Sequence, residues 1–113
     1  MEQAFEVTEH NEEGLIRVAV SGEVDVATAP VLREQLYEAV DRSTGPVIVD
    51  LLAVTFIDST ALGVLIGSQE RGKGHGADLR IVLKEPRLIK IFEITGLTSV
   101  FTIADSLESA GAA

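Results

Sequence analysis

Val47-Ile48-Val49 is a continuous β-branched run set between Pro46 and Asp50. A strand that is apolar at successive positions is usually central in a sheet and covered on both faces. The flanking patterns alternate between strand and helix. Residues 5–9 alternate Phe5 and Val7 with polar neighbours, which predicts a short strand. Residues 15–21 put Ile16, Val18 and Val20 on one face, a second strand joined to the first by a hairpin turn at 11–14. Thr28 is a candidate helix cap, and Pro30 fits a first turn whose N–H groups have no partner. Leu32, Leu36, Ala39 and Val40 form one apolar stripe that ends near Arg42. A second helix is expected over 59–71, closed by the cluster Gly72-Lys73-Gly74-His75-Gly76. A buried strand follows over 79–83, then a helix opened by Pro86 and ended by Gly96, with Leu88, Ile91 and Phe92 on one face. A short strand over 100–103 and a last helical turn or two over 106–110 complete the chain. The order β-β-α-β-α-β-α-β-α implies the α/β class: a mixed, mainly parallel sheet of four to five strands covered by about four helices.

The 113 residues suit a single domain, 1–113, with no internal repeat and no linker. At 46% hydrophobic and 24% charged, the composition excludes disorder as the dominant state. Nine basic and 18 acidic residues leave a net charge of −9, which repels nucleic-acid backbones and anionic membrane surfaces. No segment reaches 18 uninterrupted apolar residues, and Met1-Glu2-Gln3-Ala4-Phe5-Glu6 lacks the pattern of a signal peptide, so a cytoplasmic location is expected. With no cysteine, disulfide frameworks and thiolate metal sites drop out.

Enzymatic chemistry finds little support. His10 and His75 fall in turn-like regions far apart, with no third metal ligand near either. Gly67-Ser68-Gln69-Glu70-Arg71-Gly72-Lys73-Gly74 approaches a phosphate-binding loop, but Gly74 stands where a magnesium-binding hydroxyl is required. The stretch also closes a helix, whereas a phosphate loop opens one. No nucleophile–base or acid–base pair is visible, so neither an enzyme nor a cofactor is expected.

The informative segment is Phe56-Ile57-Asp58-Ser59-Thr60-Ala61-Leu62-Gly63, between the central strand and the second helix. Asp58, Ser59 and Thr60 can each cap that helix, but one cap suffices, which leaves at least one group at the surface. A phosphate on Ser59 would lie near the positive end of the helix dipole, so the fold would tolerate it. Beside Asp58 it would add about 1.5–2 negative charges and switch the binding of whatever docks there. Gly63 and Gly67 share a helix face, as a close backbone approach requires; either a neighbouring helix or a partner could supply it. Gly22-Glu23-Val24-Asp25 ends the preceding parallel strand, so it shares one end of the sheet with Asp58 and Ser59.

Taken together, these segments resemble the single-domain anti-sigma factor antagonists, built on the STAS domain. Four stretches carry the resemblance: Gly22-Glu23-Val24-Asp25 with Thr28-Ala29; Val49-Asp50-Leu51 followed by Phe56-Ile57-Asp58-Ser59; Ala61-Leu62-Gly63-Val64-Leu65; and Phe92-Glu93-Ile94-Thr95-Gly96-Leu97 with Phe101. The chain departs at Ala61, where many relatives have Gly, and at Thr60, where Ser is common. The resemblance implies partner switching. The unphosphorylated protein would bind an anti-sigma factor that is also a serine/threonine kinase, freeing the sigma factor. That kinase would phosphorylate Ser59 and lose its grip, and a phosphatase would reset the cycle. Asp58 would border the phosphosite, Glu23 and Asp25 would face the kinase, and Thr60, Gly63 and Gly67 would complete the partner surface. The alternative is constitutive use of the same fold, unphosphorylated, as a scaffold subunit of a lipid-transport or stress-signalling complex.

Overall fold

The computed structural model describes residues 4–12 and 14–112. The signal-peptide reading of Met1, Glu2 and Gln3 and the Glu13 position of the hairpin turn lie outside them. Five strands form one sheet: β1 (Glu6–Glu12), β2 (Leu15–Val24), β3 (Pro46–Ile57), β4 (Asp78–Val82) and β5 (Thr102–Ala104), in sequential order across it. β1 is antiparallel to β2, and every later pairing is parallel. The helices are α1 (Ala29–Arg42), α2 (Ser59–Lys73), α3 (Pro86–Ile94) and α4 (Leu107–Ala112).

Right-handed crossovers that always step in the same direction put every crossover helix on one face of the sheet. Accordingly, the main core takes Leu32 and Leu36 from α1, Leu62 and Leu65 from α2, and Leu88 and Phe92 from α3. Val47 and Val49 face that core, while Ile48 faces the other side and packs with Val82 and Ala110 under α4. The β-branched run is therefore central and covered twice, as its composition requires. The cover is uneven, however. α4 covers the β3, β4 and β5 part of the second face and meets β2 at its start, near Leu15. Over β1 and β2 that face carries Glu6, Thr8, Ala19 and Ser21 around an open depression.

The expected elements are present, with four corrections. β3 runs eight residues beyond Val49, to Ile57. β2 continues through Gly22 and Glu23 to Val24, so the acidic pair Glu23 and Asp25 straddles the strand end. His10 lies in β1, not in a turn, with its Nε2 3.1 Å from Thr8 Oγ1. A 3-10 turn at Leu97–Ser99 follows Gly96 and shifts the last strand to Thr102–Ala104. Gly96 itself, at φ +75°, ends the α3 region in the left-handed conformation expected of a helix stop. Gly22 is needed for a different reason: its φ is +85°, and a Cβ there would lie 2.7 Å from the backbone nitrogen of Phe5.

Candidate functional site

β2 and β3 finish side by side. Val24 pairs with Ile57, and Asp58 N–H donates to the Val24 carbonyl at 3.3 Å. The loop that leads into α1 and the turn that opens α2 therefore emerge together at the carboxyl end of the sheet, where open α/β sheets place ligands.

At the α2 turn, Asp58 has extended backbone (φ −112°, ψ −175°), and its Oδ1 accepts the Ala61 N–H at 3.1 Å. Asp58 is thus the cap. Among the described residues no side-chain hydrogen bond involves Ser59 or Thr60, and both are exposed. Two hydroxyls are left free on the first turn of a 15-residue helix. Thr60 also lines a shallow groove of about 70 Å³ with Ala29, Pro30, Arg33 and Val64, between the starts of α1 and α2. Asp58→Ala removes the cap and is expected to cost about 1 kcal/mol of stability, measured by urea denaturation.

The β2–α1 loop is braced from within. Asp25 Oδ1 accepts from Ala27 N–H at 2.9 Å and from Thr28 N–H at 3.2 Å. Thr28 sits at the N-cap position of α1 but makes no capping bond. Its hydroxyl donates to the Glu23 carbonyl at 3.0 Å and accepts from Asp25 N–H at 2.9 Å. This corrects the expectation that Thr28 caps the helix: the hydroxyl points back into the loop, the Asp25 carboxylate serves Ala27 and Thr28 ahead of α1, and the Asp25 main-chain carbonyl accepts the Ala29 N–H at 2.7 Å. Asp25 is half-buried for that reason, while Glu23 and Val26 are turned outward.

The two helix glycines separate. A Cβ on Gly67 would stand 2.7 Å from the Tyr37 hydroxyl of α1, whereas a Cβ on Gly63 would meet nothing within 4 Å. Gly67 therefore answers to intramolecular packing, and Gly63 lies open on the outer face of α2. Arg71 stacks over the Tyr37 ring at 4.8 Å and holds Asp41 by two bonds of 2.7 and 2.9 Å. Hydrogen bonding to that guanidinium lowers the Asp41 carboxyl pKa. Gly63→Ala is expected to add about 0.5–1 kcal/mol of stability by restricting the unfolded chain. Gly67→Ala should forfeit that gain, because Tyr37 cannot retreat without disturbing Arg71. Urea denaturation of both variants checks the order.

Sequence reasoning missed two exposed apolar side chains at this end of the sheet, Val26 and Phe56. Val26 carries a weak signal, an aliphatic residue inside a polar loop. Phe56 carries none, because its outward direction depends on an irregularity in β3. Among the described residues no group of three or more His, Asp or Glu is placed to hold a metal ion, and no helix is long and apolar enough to cross a membrane.

Residues 5–110 match the family model described as the STAS domain. The anti-sigma-B factor antagonist of Bacillus subtilis is 38% identical over 93 residues, covering 82% of this chain and 84% of the relative. The anti-sigma-B factor antagonist of Listeria monocytogenes is 37% identical over 89 residues, covering 78% of this chain and 77% of the relative. An anti-sigma factor antagonist from Mycobacterium paratuberculosis has a crystal structure that superposes with a TM-score of 0.88 at 27% identity, covering 96% of this chain and 92% of that one.

Proposed function

This chain belongs to the STAS domain family, and from that premise we propose that it is an anti-sigma factor antagonist acting by partner switching. The observation that carries the proposal is the free, exposed Ser59 hydroxyl beside the capping Asp58, at the sheet end shared with Glu23 and Asp25. The relatives' names supply the partner class, an anti-sigma factor. The fold serves as a single STAS domain in the cytoplasm, and it is a regulator without enzymatic activity of its own.

In the unphosphorylated state the partner lies over the α2 turn, with Gly63 allowing it close to the helix backbone. The partner is a serine/threonine kinase. Its nucleotide phosphates must come to Ser59 Oγ for transfer, so the surface opposite Ser59 is already negative. Once phosphorylated, Ser59 would place a dianion against those phosphates and next to Asp58. Burying it there is costly, and the like charges repel. The helix itself tolerates the group, because the negative charge lies at the positive end of the α2 dipole. The modification thus acts on binding and spares the fold. A phosphatase restores the hydroxyl, and no nucleic acid or membrane takes part. The test is co-elution with the anti-sigma factor of the source organism. A complex should form without ATP and dissolve when magnesium and ATP are added, and with Ser59→Ala it should persist. A complex of the wild-type protein that ignores ATP would contradict the proposal.

A further inference from the structure

We infer that Val26 and Phe56 form an apolar anchor that extends the partner footprint from the Ser59 turn round the end of the sheet. The inference rests on the partner-switching proposal and names residues it does not use. Val26 is 73% exposed and Phe56 46% exposed. Both lie at the carboxyl end of β2 and β3. Glu23 pairs with Phe56 and Val24 with Ile57, two residues before Val26 and one before Asp58. Phe56 is turned outward by the backbone itself. The register shifts between the Gly22–Val54 and Glu23–Phe56 pairs, so Thr55 and Phe56 both face solvent while Val54 and Ile57 stay in the core. The Asp25 brackets to Ala27 and Thr28 fix the loop that presents Val26, so little conformational entropy is lost when it is covered.

The surroundings state the chemistry of the occupant. Glu23, Asp25 and Asp58 flank the two side chains, and among the described residues none of these carboxylates is in a salt bridge. The surface fits a protein partner with an apolar recess edged by Lys or Arg next to Glu23. The anti-sigma kinase would carry that recess beside its nucleotide site. A central apolar side chain desolvated by a polar rim is the arrangement in which truncation costs most.

The experiment is calorimetric titration of the anti-sigma kinase that phosphorylates Ser59, with Val26→Ser, Phe56→Ser and Leu52→Ser variants. Leu52 is the control, 45% exposed on β3 but away from the loop. Thermal denaturation first establishes that each variant is folded. Kd is expected to rise roughly 30-fold or more at positions 26 and 56 and to stay within about threefold at position 52. An unchanged Kd at either Val26 or Phe56 overturns the inference; the partner-switching proposal then still stands if Ser59→Asp abolishes binding. An equal loss at Leu52 overturns it as well, since the footprint would not be confined to the sheet end. Failure of the wild-type protein to bind the kinase removes the proposal and the inference together.

Discussion

Ser59→Asp is expected to fold like the wild-type protein and to bind the anti-sigma kinase roughly 100-fold or more weakly. The two halves of that result have separate causes. Stability is kept because Asp58 already caps α2 through Ala61 N–H, and Ser59 is exposed on the first turn. A second carboxylate there meets the positive end of the helix dipole and adds no buried charge to the free protein. Binding is lost because the same carboxylate becomes buried against the kinase's nucleotide phosphates. Like charges brought together in an interface cost several kcal/mol. Ser59→Ala should keep full affinity and never be released. Calorimetric titration measures both, and equal affinities for the two variants would contradict the electrostatic switch.

Phe92→Ala is expected to cost about 3–5 kcal/mol. Phe92 lies on α3, is 0% exposed, and meets Phe101 edge-on with ring centroids 6.3 Å apart. Its removal leaves a cavity under α3 and breaks that aromatic pair. A domain of this size holds about 5–15 kcal/mol in all, so the melting temperature should fall by more than about 10 °C. Phe56 is the same residue type but 46% exposed and outside that core, and Phe56→Ser should cost no more than about 2 kcal/mol, less than Phe92→Ala. Differential scanning calorimetry of the pair separates a phenylalanine that holds the fold from one that is held out for a partner.

Much of this architecture is legible in the sequence because local signals coincide with it. Pro30 and Pro86 open helices, Gly96 ends one, and Val47-Ile48-Val49 marks the central strand. The meeting of Glu23 and Asp25 with Asp58 and Ser59 follows from two parallel neighbours ending together, which needs only the order of elements. The second half of β3 is not legible, and the cause is specific. Leu51, Val54 and Ile57 are its core-facing residues, and they are three apart. An alternating strand would space them by two. The two register shifts against β2 each insert a residue, so a strand acquires a spacing that looks helical. The outward direction of Phe56 is hidden by the same irregularity. The glycines show another limit. Gly63 and Gly67 have the same local spacing signal, yet only Gly67 faces a tyrosine, and Tyr37 is thirty positions away on another helix. Thr28 and Asp25 are both ordinary capping residues, yet neither side chain caps α1, because both turn to backbone groups of the loop itself.

The most direct test of the switch is intact-mass spectrometry after incubation with ATP and a lysate of the source organism, with Ser59→Ala and Thr60→Ala in parallel. The expected result is a gain of one phosphate that Ser59→Ala abolishes and Thr60→Ala keeps. A phosphate abolished only by Thr60→Ala would contradict the choice of acceptor. No phosphate in any sample, with the kinase shown to be active on a control substrate, would contradict partner switching and leave the constitutive scaffold in its place.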